Sequence, residues 1–240
     1  MAVTSPRLVT SGYYRNNAYV LLGMNVLAAV VAWSGAVDRT LVPPWIATAA
    51  SVVSYFAAAF WLYEKPRAGT AALVVVAGLA LVGLLSATPI VDKPPQAQAL
   101  CWADAAVSGL VLGVTMAAML LGHWYLNAPG MKIAPLQKLT LAIGAVTVVR
   151  AVVTAAGLAG NGVLNPLSWP TEFDYVRLMM LLLQWLAGVG GTLLLVGMTW
   201  STLKIPNTQA ATGMLYVAVI TTFLGELVGQ LLSASSVYPL

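Results

Sequence analysis

The chain has 240 residues, of which 60% are hydrophobic and 8% charged, with a mean hydropathy of +0.88. Such a composition excludes an ordinary soluble domain and belongs with polytopic membrane proteins. The formal charge of +4 comes from 11 Lys and Arg scattered singly along the chain, which form no basic stripe and so exclude a nucleic-acid surface. One cysteine, Cys101, excludes an intrachain disulfide and any thiolate cluster around a metal.

The predicted fold is all-α: a single transmembrane domain over 1–240 with seven spans at about 18–35, 45–63, 70–88, 102–125, 136–159, 175–203 and 211–234. The first span follows a polar lead with Arg7 and Arg15 that is long for a signal peptide, so it is expected to be retained. A turn with Asp38 and Arg39 precedes the second span, which opens at Pro43-Pro44-Trp45 and carries Trp45 and Trp61 as expected interface markers. The third, almost entirely Ala, Val, Leu and Gly, has no polar face to hide and is expected at the lipid side.

In the fourth span Asp104, Ser108 and Thr115 share one helical face, and Gly109 and Gly113 form a GxxxG pair suited to close helix packing. The fifth places Gln137, Thr140, Gly144, Thr147 and Thr154 beside Arg150, an arginine well inside an apolar run. The loop 160–174, with Asn161-Gly162, Asn165-Pro166, Trp169-Pro170, Glu172 and Asp174, has the turn chemistry of a compact cap or a short re-entrant piece. The sixth span lines up Arg177, Gln184, Gly188, Gly191, Thr192 and Thr199; the seventh lines up Thr212, Tyr216, Thr222, Glu226, Gly229 and Ser233. Spans four to seven therefore read as a bundle with a polar core.

Counting charges across seven spans puts Arg7, Arg15, Lys65, Arg67, Lys132, Lys138 and Lys204 on one side, against Arg39, Lys93 and Arg177 on the other. The positive-inside rule then sets the N-terminus inside and the C-terminus outside, in what reads as a bacterial cytoplasmic membrane. Even-numbered spans end at the inner face in Trp61 to Pro66, Trp124 to Pro129 and Trp200 to Pro206, a likeness that interfacial Trp followed by a helix-stopping Pro explains.

An arginine at mid-membrane costs at least ~2.5 kcal/mol to insert, so Arg150 needs an acid at its own depth. At a rise of about 1.5 Å per residue, Arg150 lies ~4 Å and Glu226 ~5 Å outward of the middle of its span, and Asp104 ~14 Å on the same side. Glu226 is thus the expected first partner and Asp104 the second, within reach only if the helices tilt. A one-to-one pair predicts that Glu226→Gln alone costs stability and that adding Arg150→Met recovers it. Thr147, Gln184 and Thr222 are the polar face residues expected near this buried charge cluster.

His123, the single histidine, lies ~14 Å inward of its span's middle. It is a candidate quinone or ligand contact, or an interfacial aromatic beside Trp124 and Tyr125. A bis-histidine haem and a three-histidine zinc site are excluded, and no lysine follows Ala211 to form a retinal Schiff base. The absence of GxSxG, HExxH, a phosphate-binding loop and paired catalytic carboxylates leaves no residues for a hydrolase or kinase.

No catalytic residue, metal or cofactor is therefore expected beyond lipid or quinone contact. The first functional expectation is a non-catalytic subunit of a larger membrane complex, bioenergetic by class frequency, with lipids and other membrane subunits as partners. The second is a small transporter or channel that uses the Arg150 and Glu226 level for an anionic or proton-coupled substrate. A transporter usually breaks a helix at mid-depth, and Gly188-Val189-Gly190-Gly191 is the one candidate for such a break in spans four to seven.

Overall fold

A computed structural model describes residues 8–35, 43–88, 90, 93–128, 130–162, 175–205 and 207–240. Helices α1 (Ser11–Ser34), α2 (Pro44–Leu62), α3 (Pro66–Ala87), α4 (Pro95–Asn127) and α5 (Ala134–Gly160) are followed by α6 (Tyr175–Leu183). α6 runs without a break into a π-helical segment (Gln184–Gly191) and then α7 (Thr192–Lys204), and α8 (Thr208–Ser233) completes the series. With α6, the π segment and α7 taken as one span, seven are long and apolar enough to cross a bilayer. The described residues include no strand. The expected cap residues Glu172 and Asp174 lie outside the described residues, as do Arg7, Asp38 and Arg39.

Helix starts follow local chemistry. Pro44, Pro66 and Pro95 each stand in a first turn, where the missing N–H has no helical partner to lose. Asn207 caps α8 by accepting from the Ala210 N–H at 3.0 Å, and Gly35 closes α1 with φ 77°.

Two helices begin about two turns earlier than their hydropathy suggests. At the start of α1 the polar-looking residues are buried: Tyr14 stacks on Trp61 with centroids 4.3 Å apart, and Asn17 Nδ2 donates to the Tyr13 carbonyl at 2.8 Å. α4 starts at Pro95, where the Gln98 side chain donates to the Lys93 carbonyl at 2.8 Å.

The chain divides into two compact units. The first comprises Met1–Thr88 with Gly130–Pro135. There α2 packs between α1 and α3 through a core of alanines, Ala18, Ala57, Ala58 and Ala72, whose small side chains let the helices approach closely. α3 buries only Gly69, Ala72 and Val76. Trp45, near the start of α2, is exposed, whereas Trp61, near its end, is buried in the protein. Trp61 is 3% exposed and lies flat between Tyr14 and Gly69, where a Cβ on the glycine would meet the indole at 2.6 Å.

The second unit comprises Pro89–Pro129 with Leu136–Leu240. α8 packs against α4, the π segment and α7. Its helices bury their polar faces: Asp104, Ser108 and Thr115 from α4, Thr140, Thr147, Arg150 and Thr154 from α5, and Thr212, Thr222 and Glu226 from α8. Most of the hydroxyls are satisfied on their own helix, Thr115 donating to the Val111 carbonyl at 2.7 Å and Thr147 to Ile143 at 2.8 Å.

Close approach does not occur at the expected GxxxG pair, since a Cβ placed on Gly109 or Gly113 would have no neighbour within 4 Å. They lie off the α4 face that carries the buried polar residues. Close packing occurs instead where Gly188 of the π segment meets Gly225 of α8 backbone to backbone, and where Gly122 meets Thr212.

After α8 the chain folds back on the same unit. Leu240 is fully buried and its N–H donates to Ser233 Oγ at 2.8 Å. Asn161 brackets Tyr238, donating to its carbonyl at 2.9 Å and accepting from its N–H at 3.2 Å.

Gly69→Ala is expected to lower the unfolding midpoint in detergent by displacing Trp61, at a cost of about 1–3 kcal/mol. Gly78→Ala, at a position where a Cβ would have nothing within 4 Å, should leave the midpoint unchanged or raise it.

Candidate functional site

The second unit is built around Arg150, which is 3% exposed. Its position follows from the α5 pattern: Thr140, Thr147, Arg150 and Thr154 recur at helical spacing on one buried stripe, and Val148, Val149 and Val152 occupy the exposed side. The guanidinium reaches two other helices. Its Nε donates to both Glu226 oxygens, at 2.9 and 3.1 Å, a two-oxygen contact with a carboxylate from α8. Its Nη1 forms a hydrogen-bonded ion pair with Asp104 Oδ1 from α4 and donates to Thr154 Oγ1 at 3.0 Å.

Asp104 is thus a full member of the cluster. The reason lies in the early start of α4 at Pro95, which moves the middle of the helix to near Val111 and leaves Asp104 only about 10 Å from it. Hydropathy starts that span too late and so puts Asp104 too far out.

Gln184, Thr147 and Thr222 come to the same place. Together with Arg150, Glu226 and the Gly188 backbone they line a small, partly open space in which about 10 Å³ is open to the centre of a water molecule, room for about one water. Among the described residues, two buried polar atoms here have no hydrogen-bond partner: Arg150 Nη2, a donor, and Gln184 Oε1, an acceptor. Thr192 Oγ1 lies 3.1 Å from Thr221 Oγ1 and 3.2 Å from Thr222 Oγ1, joining α7 to α8 just beyond the π segment.

Two further contributors shape the site. Gly229 leaves the space that the site occupies, because a Cβ there would stand 2.6 Å from Gln184 Nε2 and 3.1 Å from both Arg150 Nη2 and the Leu240 carbonyl. The second is the segment ending in Leu240, which closes over this end of the cluster. Gly229 is where its helical spacing from Glu226 puts it; nothing local signals the returning tail.

His123 is elsewhere. It is exposed near the opposite end of α4, about 28 Å along the helix from Asp104, with Nδ1 3.2 Å from the Tyr216 hydroxyl. Tyr216 accordingly leaves the buried face of α8 expected for it and is 43% exposed. Arg177 is likewise exposed. Among the described residues no three His, Cys, Asp or Glu side chains converge as metal ligands would.

The arrangement can hold charge and exchange it. Arg150 has one more carboxylate than a neutral pair requires, and each carboxylate has its own hydrogen bond to the guanidinium. This alters the expectation for a one-to-one pair: Arg150→Met now strands two carboxylates, and adding it to Glu226→Gln still strands Asp104.

Arg150→Met should therefore be the most damaging single change, costing on the order of 3–5 kcal/mol, whereas Glu226→Gln leaves a matched Arg150 and Asp104 pair and should cost about 1 kcal/mol. Unfolding midpoints of the two variants in one detergent check this, and equal losses would refute it. Gly225→Ala, which puts a methyl 2.5 Å from the Gly188 Cα, should lower the midpoint by forcing α8 off the π segment. No protein-family model matches the chain, and no curated protein or solved structure matches it either, so a functional reading rests on the residues themselves.

Proposed function

We propose that the chain is a small ion-coupled transporter of the bacterial cytoplasmic membrane, with the second unit as its transport body and Arg150, Asp104 and Glu226 as its coupling site. One observation carries this reading: the span Tyr175–Lys204 is interrupted at mid-length by the π-helical segment Gln184–Gly191, whose Gln184 side chain and Gly188 backbone line the same space as Arg150 and Glu226. π segments are rare and cluster at functional positions. In a membrane protein, irregular backbone at depth is tolerated where it is packed in protein or lines a cavity, and broken helices are what transporters use to build binding sites near the midplane.

The subunit reading asks mainly for apolar outer faces, which any helix in a bilayer has, so it gains nothing from the polar interior. Charge asymmetry supports an N-terminus in the cytoplasm, which puts the Asp104 end of α4 and the segment ending at Leu240 on the outer side.

Purified protein in liposomes on a solid-supported membrane, challenged with jumps of protons, sodium and a panel of amino acids, sugars and organic acids, should give a transient current with at least one of them. Glu226→Gln, at equal folded yield, should abolish it. Silence across the panel, together with stoichiometric co-purification of another membrane protein in mild detergent, would establish the subunit reading instead.

A further inference from the structure

Resting on that reading of the site, we infer that its coupling ion is a proton, held as one exchangeable hydrogen by Asp104 and Glu226, with Arg150 bound to whichever carboxylate is ionised. The argument starts from charge. The charged and titratable groups that converge here are Asp104 from α4, Arg150 from α5 and Glu226 from α8; the π segment contributes Gln184 and α7 contributes Thr192, neither of them ionisable. With all three groups ionised, the cluster carries one uncompensated negative charge.

The next described cation, Lys93, reaches back with its ammonium to Cys101 Sγ and the Ser236 carbonyl, each at 3.4 Å, about one turn from Asp104; it acts on Asp104 through space without an ion pair and offsets only part of that charge. A lone buried charge is costly enough that a carboxyl avoids it by taking a proton.

A metal cation fits this place poorly. The free face of the Arg150 guanidinium, a fixed positive charge, borders the small space, which has room for about one water. A proton needs no room, because it resides on a carboxylate oxygen already in position.

The step balances simply. A hydronium ion gives its proton to one carboxylate, leaving water and a neutral carboxyl, and the cluster goes from one net negative charge to zero. The protonated carboxyl releases its hold on Arg150, which stays with the other. Loss of the proton to water restores the charge, with no change in oxidation state. Because Arg150 bonds Glu226 through Nε and Asp104 through Nη1, either carboxylate can let go while the other keeps the guanidinium. Exchange through the one-water space, between Arg150 Nη2 and Gln184 Oε1, would link the proton's arrival to the π segment.

Infrared difference spectroscopy of the purified full chain in lipid nanodiscs, titrated in H₂O and D₂O, reads the proton directly. The expected result is a protonated-carboxyl band at neutral pH that shifts in D₂O, disappears on alkaline titration and does not respond to sodium. Both Asp104→Asn and Glu226→Gln should abolish it, since the remaining carboxylate is then matched by Arg150 and stays ionised.

A wild-type spectrum without that band, a band that persists in either variant, or a band displaced by sodium would overturn the proposal. If a variant yields no folded protein, the wild-type titration in the presence and absence of sodium decides alone. The readout is independent of flux: a band without transport removes the transporter reading and leaves the proton site, whereas sodium-driven flux without a band does the reverse.

Discussion

A guanidinium cannot lie unpartnered inside a hydrocarbon slab, and that constraint organises the second unit. Arg150 draws carboxylates from two other helices, and each must arrive at the same depth from a different direction along the chain. Thr115, Thr140 and Thr147 satisfy their hydroxyls on their own helices, and Thr192 and Thr222 pair with each other across two, so most of the polar stripe has partners inside the protein. Removing the arginine would make the surrounding design a liability, because the polar stripes of α4, α5 and α8 face one another on its account.

The first unit works on a different principle. Its helices meet through alanines and through a tyrosine and tryptophan stack, with no buried ion pair among its described residues. Van der Waals contact between small side chains is the usual basis of helix association in lipid, where the hydrophobic effect contributes little. The contrast between the two units fits a division in which one supplies bulk and the other chemistry.

Much of this is legible in the sequence. Seven apolar runs are visible because a bilayer demands about 20 apolar residues per crossing, and Arg150 and Glu226 can be matched by counting residues from the span middles. Asp104 is misplaced by the same count for a specific reason: hydropathy cannot see a helix that extends beyond its apolar part, and α4 runs from Pro95. Residue type alone assigns Trp61 to an interface, whereas its burial depends on Gly69 and Tyr14, partners that only the packed structure brings to it. The returning tail at Tyr238 to Leu240 is held by Asn161 and Ser233, contacts with no local signature. The run Gly188 to Gly191 does mark a weak point in its helix, though not that the weakness takes the form of wider turns.

The wider turns between Gln184 and Gly191 also fix an angular relationship. Each residue in a wide turn sweeps a smaller angle than in an α turn, so the stretch holds about one residue more than an α-helix of the same sweep would. Deleting one residue there would restore ordinary α turns and leave Thr192 and Thr199 near the face they now bury, with the hydroxyl contacts from Thr192 to α8 still in reach. What would go is the widened backbone that carries Gln184 and Gly188 to the site. In any protein built to the same plan, a single-residue gap there would signal loss of the wide turns and not a different pairing of α7 with α8.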